Sequence, residues 1–82
     1  MIDQTQIDDV KACAEKLLET AKAMYGVSQT MTANESDKET AKKIVNIEGY
    51  LELVTAQKRD LNKARKVVAQ EMNVGDGIGE VL

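Results

Sequence analysis

The stretch TANESDKE, residues 32–39, separates two long runs of regularly spaced apolar residues. Ser36 and Glu39 form the S-x-x-E pattern of a capping box, in which the serine hydroxyl accepts a hydrogen bond from the first turn of a helix. Residues 32–37 are short and polar, so they predict a turn. Because the connection is this short, helices on its two sides must fold back antiparallel.

An apolar repeat precedes the turn. Apolar or small residues alternate in steps of three and four, the heptad spacing that turns one stripe of a helix toward a neighbour. They are Ile7, Val10, Ala14, Leu17, Ala21, Met24, Ser28 and Met31. Asp3 and Gln6 offer a cap upstream. The predicted helix covers residues 4–31; Gly26 offers an earlier end, but the unbroken repeat favours continuation.

The same spacing resumes after the turn. Its positions are Ile44, Ile47, Leu51, Val54, Lys58, Leu61, Arg65, Val68 and Met72. This repeat predicts a second helix over residues 37–73, paired with the first so that facing residue numbers add to about 71. Such a register leaves Val68 and Met72 overhanging the start of the first helix. Residues 74–82 are expected to form a flexible glycine-containing tail.

Composition supports an all-α fold. Proline is absent and Tyr25 and Tyr50 are the only aromatic residues, while the apolar positions are mostly occupied by good helix formers. Residues 1–37 carry a net charge of −4 and residues 38–73 carry +3, so the two helices attract each other. We therefore predict an antiparallel, coiled-coil-like hairpin of two helices.

A partial second stripe on the second helix predicts self-association. It consists of Val45, Gly49, Leu53, Ala56 and Val67. Two hairpins meeting along it would form a homodimeric four-helix bundle, with Gly49 permitting close backbone approach. Scattered surface apolar residues are the alternative, and Gly49 would then mark a kink.

The segment KRDLNKARK, residues 58–66, concentrates positive charge in a chain of net charge −3. Arg59, Lys63 and Lys66 project outward from the predicted stripe. They have three interpretations: a solvated face, a site for an acidic protein surface, or a nucleic-acid contact. Stacking aromatics and known nucleic-acid motifs are missing near them, which makes nucleic acid the least favoured.

The tail contains GDGIG, residues 75–79, which has the glycine spacing of a phosphate-binding loop but follows a helix and not a strand. A flexible linker is the favoured interpretation. Its apolar residues Ile78, Val81 and Leu82 are expected to pack over Val68 and Met72 or to dock on another protein.

Catalytic and metal-binding chemistry has little support. Cys13 is the only cysteine and histidine is absent, so no nucleophile has a histidine base. The acidic pairs Asp8–Asp9 and Glu48–Glu52 lack further ligands nearby. We expect no cofactor and no enzymatic activity.

The function expected from these features is protein binding. We predict a small, cytoplasmic, non-enzymatic protein, with no membrane-spanning segment, that acts as an inhibitor, regulator or adaptor of a larger macromolecular machine, in the manner of bacterial or phage regulators. Its predicted partners are a second copy of itself and another protein. A structural self-assembling subunit and a nucleic-acid binder are the alternatives.

Overall fold

The computed structural model describes residues 1–72, which form two helices: α1, Gln4–Gln29, and α2, Asp37–Glu71. The helices pack against each other along their lengths, and no strand occurs in the described residues. The predicted all-α helical hairpin is therefore confirmed. The tail predictions for residues 74–82, including Ile78, Val81 and Leu82, fall outside the described residues.

Both helices begin at the caps that the sequence indicates. Asp3 caps α1 in a reciprocal capping box: its carboxylate accepts from the backbone, and Gln6 Oε1 accepts from Asp3 N at 3.0 Å. Ser36 caps α2 by accepting a hydrogen bond from Glu39 N at 3.2 Å. Glu39 does not complete the box, because its carboxylate lies 3.6 Å from the ammonium group of Lys42. The second capping box is therefore formed on one side only.

α1 continues through Gly26 and ends at Gln29, two residues before Met31, with Thr30 as its C-cap. The last turn of α1 contains no basic residue of its own. The exposed carbonyl of Thr30 instead accepts a hydrogen bond from Lys43 Nζ at 3.0 Å, so a cation from α2 stabilises the negative end of the α1 dipole.

The predicted register is wrong by roughly one helical turn. Val68 shares an apolar groove with Ile7 and Val10, whereas a sum of 71 would place it opposite residue 3. At the open end of the hairpin the amino group of Met1 lies 3.1 Å from Glu71 Oε2. The physical reason is the turn, which packs alongside the first turns of α2. The extra length of α2 lies at the turn and not at the open end.

The contact between the helices is also rotated relative to the predicted stripe. The partly or fully covered positions are Gln6, Ile7, Val10, Cys13, Leu17, Thr20, Met24, Val27 and Ser28 in α1, Met31 in the turn, and Thr40, Lys43, Ile47, Tyr50, Val54, Gln57, Leu61, Ala64, Arg65, Val68 and Ala69 in α2. At five of the seventeen predicted positions the contact thus uses the residue one place earlier. Ala14, Ala21, Ile44, Leu51 and Lys58 are exposed. A broad apolar stripe permits this rotation, and the small side chains of Cys13 and Thr20 allow the helices to approach.

The hairpin has almost no core. Thr20 and Ala69 are the only buried residues among residues 1–72, with 7% and 4% of their surface exposed. Apolar residues such as Leu17 and Val54 are only partly covered by the opposite helix. Neither α1 nor α2 combines the length and hydropathy needed to cross a bilayer.

Candidate protein-binding surface

The two candidate sites predicted on α2 lie on one side of it. All eight predicted residues are exposed. Those predicted for self-association are Val45, Gly49, Leu53, Ala56 and Val67, and those predicted for partner binding are Arg59, Lys63 and Lys66. By helical periodicity they lie on one side of α2, from Leu53 at the edge of its contact with α1 to Val45 opposite that contact. We call this set the outward face of α2. Its residues from Val45 to Ala56 come first along the helix and are followed by the three cations and then by Val67, so one helix presents both kinds of contact.

The cations of the outward face form no ion pairs within residues 1–72. The salt bridges among residues 1–72 join the amino group of Met1 to Glu71, Lys42 to Glu39 and Lys43 to Glu35. None involves Arg59, Lys63 or Lys66. The attraction expected between acidic α1 and basic α2 therefore acts between their net charges and not through ion pairs of these residues. The three cations remain available to an external partner.

The other basic residues of segment 58–66 have different positions from those expected. Lys58 is exposed and lies outside the seam. Arg65 is partly buried and folds along its own helix, where its Nε and Nη2 atoms donate hydrogen bonds to Asn62 Oδ1 at 3.1 and 2.9 Å. Its Nη1 atom is buried without a hydrogen-bond partner among the described residues. Arg65 is thus a structural residue more than a free cation.

Val68 and Met72 do not overhang the hairpin. They share an apolar groove at its open end with Ile7, Val10, Lys11, Arg65 and Ala69. The shift in register brings the start of α1 beside them. Val68 is partly covered, whereas Met72 stays exposed. The predicted docking of Ile78, Val81 and Leu82 onto these residues lies outside the described part of the chain.

The turn contains a polar cluster that the sequence pattern did not indicate. Lys43 forms a salt bridge with Glu35, with Nζ 2.5 Å from Oε2. The same Nζ atom donates a hydrogen bond to the carbonyl oxygen of Thr30. The second carboxylate oxygen of Glu35 accepts from Thr32 N at 2.8 Å. The hydrogen bond from Lys43, followed by the one from Thr32, lowers the pKa of Glu35 from its ordinary value of 4.5. This cluster fixes the turn against α2, and the missing basic residue at the end of α1 was its only sequence signal.

Polar residues also occur in the seam itself. Thr20 Oγ1 donates a hydrogen bond to the carbonyl oxygen of Lys16 at 3.1 Å. Gln57 Oε1 is buried without a hydrogen-bond partner among the described residues. Within residues 1–72 no group of three His, Cys, Asp or Glu side chains is arranged to hold a metal ion. Cys13 is a partly covered free thiol in the seam.

The chain was compared with protein families, with curated proteins and with solved structures. No family model, no curated protein and no solved structure matches it.

Proposed function

We propose that this protein is a non-enzymatic binding protein that attaches to a partner protein through the outward face of α2. In this role it acts as an adaptor, or as an inhibitor or regulator, of a larger assembly. The observation that supports the proposal most directly is the combination of exposed Val45, Leu53 and Val67 with the cations Arg59, Lys63 and Lys66 on one side of one helix.

The apolar residues supply affinity in this proposal. Val45 has 64% of its surface exposed, Leu53 46% and Val67 44%. Because each is already about half covered, covering the rest of one such side chain contributes about 0.7–1.5 kcal/mol of transfer free energy, before the costs of association. A helix that lays spaced apolar anchors into a groove is a recurring mode of protein recognition.

The cations define the chemistry of the partner. A groove with apolar pockets and an acidic rim would complement Arg59, Lys63 and Lys66, which have no ion pairs within residues 1–72. Rim charges of this kind accelerate association and select against basic partners. Neither Tyr25 nor Tyr50 belongs to this face, so it lacks the stacking platform that single-stranded nucleic acid favours.

The experiment is an affinity capture from nuclease-treated lysate with three tagged forms of the full chain. Arg59→Glu with Lys66→Glu reverses two charges of the outward face. Lys16→Glu with Lys22→Glu makes the same charge change on exposed positions of α1 and serves as the matched control. We expect a stoichiometric protein partner that the wild type and the α1 variant retain and the α2 variant loses.

Two results would contradict the proposal. Equal retention by all three forms would show that the outward face does not bind the partner. Retention that depends on intact nucleic acid, and that falls steeply with salt, would show that the cations contact phosphates.

A further inference from the structure

We propose that a second copy of this chain covers a different surface, the apolar side shared by α1 and α2, and so forms a four-helix bundle. We call this surface the common face. It consists of Ala14, Ala21, Ile44 and Leu51, which are exposed and lie one place after contact positions, together with Ile7 and Met72 in the groove at the open end. This inference does not depend on the proposed function, which uses the outward face of α2.

The first argument is the angle between the sequence stripe and the helix contact. Each heptad has two stripe positions. Where the contact uses Cys13 and not Ala14, or Tyr50 and not Leu51, only one of the two positions changes. The midpoint of the pair therefore moves around the helix by about 50°, half the rotation of one residue. In a square bundle of four helices, the direction to the centre lies about 45° from the direction to the adjacent helix. In a three-helix bundle that angle is only about 30°. The offset therefore fits the addition of two helices, which is one hairpin.

The second argument is that both helices turn their stripes toward the same side. Because α1 and α2 run in opposite directions, residues one place later in each helix fall on the same side of the hairpin. The open end shows this directly, since Ile7 and Val10 line one groove together with Val68 and Met72. Farther along, Ile44 and Leu51 are exposed at 42% and 49%. The uncovered apolar surface thus has two parts on α2, one at the open end and one around Ile44 and Leu51, with the polar residues Lys58 and Asn62 between them.

The third argument is the size of this surface. The longest dimensions of the molecule are 56 and 24 Å, so its broad side covers roughly 1,300 Å² in projection. A stable interface buries about 800 Å² on each partner. Covering this side would bury the part-exposed residues Leu17, Ile47 and Val54, which the single hairpin leaves without a core. An identical hairpin has the required length.

Charge also favours a second copy as the occupant. Residues 1–37 carry −4 and residues 38–73 carry +3. When two hairpins meet face to face, α1 of one copy can lie beside α2 of the other, so each helix gains a second neighbour of opposite charge. Lys58 interrupts the stripe after Leu51; its long aliphatic stem can lie on the apolar surface while the ammonium reaches water.

Leu51 and Leu53 provide a matched test. They carry the same side chain, have 49% and 46% of their surface exposed, and lie two residues apart on opposite sides of α2. We expect sedimentation equilibrium to give the wild type and Leu53→Glu twice the 9.0 kDa chain mass. Leu51→Glu should remain helical by circular dichroism but raise the dissociation constant roughly a hundredfold, because the dimer contains the buried charge twice.

Three outcomes would contradict the proposal. A wild type of 9.0 kDa at all concentrations would exclude the dimer. Dissociation by Leu53→Glu with an intact Leu51→Glu dimer would assign the interface to the outward face. A mass that grows beyond the dimer would indicate open assembly.

Two further full-chain variants keep the test decisive. If Leu51→Glu fails to fold, Ala21→Arg places a charge on the common face from α1, at an exposed position, and should likewise yield a helical monomer. Val81→Ser with Leu82→Ser should leave the dimer intact; its conversion to a monomer would show that the C-terminal segment is the occupant, contrary to the proposal.

Discussion

At the scale of single residues, the clamp between Glu35 and Lys43 joins the turn to both helices. It could not be predicted from a local pattern, because Lys43 contacts Glu35 and Thr30 only after the chain has reversed. Gln57 is a similar case. Its position fits either a solvated residue or a seam residue, and only the rotation of α2 places its Oε1 atom out of contact with water. The caps at Asp3 and Ser36 were predictable because their partners lie within three residues.

The pKa shift of Glu35 predicts a specific dependence of stability on pH. Folding lowers the pKa of Glu35 from 4.5, so its ionised form stabilises the folded protein above that pH. The contribution is lost as the pH falls through the lower pKa of the folded state. In Glu35→Gln the neutral amide cannot replace the ion pair. We expect its melting temperature to lie below that of the wild type at neutral pH and to approach it as the solution is acidified through this range.

The measurement is a series of thermal melts by circular dichroism at constant ionic strength and protein concentration. Glu52→Gln is the control, because it removes a carboxylate that forms no ion pair with any of residues 1–72. A difference between Glu35→Gln and the wild type that stays constant over the acidic range would show that the clamp does not depend on ionisation.

At the scale of the helices, the heptad repeat correctly predicted the spacing of the contact residues but not the rotation of each helix about its axis. Leu17, Met24, Ile47 and Val54 occupy the contact as the repeat predicted. Whether Cys13 or Ala14 joins them depends on how many helices surround the stripe, and a single chain does not contain that information. The register failed for a related reason. The prediction treats residues 32–37 as a short link, but Glu35 packs beside α2.

Gly49 provides a prediction at this scale. A Cβ atom added at this position would meet nothing within 4 Å, so close approach of another part of the hairpin does not require the glycine. Alanine also costs less conformational entropy in a helix interior. We expect Gly49→Ala to raise the free energy of unfolding by about 0.5–1 kcal/mol. For a chain of this size, this corresponds to several degrees in melting temperature, on the order of 4–8 °C per kcal/mol.

The control is Gly26→Ala, since Gly26 lies in α1 with equally open surroundings. Melts of both variants at one protein concentration should show stabilisation without a change in mass. Destabilisation by Gly49→Ala alone would mean that a partner backbone lies against this residue. That result would restore the close-approach role that the sequence suggested for Gly49 and would place the dimer contact on the outward face.

At the scale of the whole molecule, the two faces of the hairpin divide its proposed contacts. The common face extends over both helices and suits a self-complementary dimer, whereas the outward face belongs to α2 alone. In a face-to-face dimer the outward faces of the two copies remain exposed. Each dimer would then present two copies of Arg59, Lys63 and Lys66, so a partner with repeated sites would be bound with increased avidity.

The charges of the two helices predict how the hairpins are oriented in the dimer. A twofold axis parallel to the helices places α1 beside α2 of the second copy, whereas a perpendicular axis in the interface places α1 beside α1. Residues 1–37 carry −4 and residues 38–73 carry +3, so the parallel axis brings opposite charges together. Both turns then lie at the same end of the bundle.

The distance between the two turns can be measured by pulsed electron paramagnetic resonance, with spin labels attached through Ala33→Cys in a Cys13→Ser background. We expect a separation comparable to the 24 Å width of the hairpin; a separation approaching its 56 Å length, in a sample of dimeric mass, would show the opposite orientation.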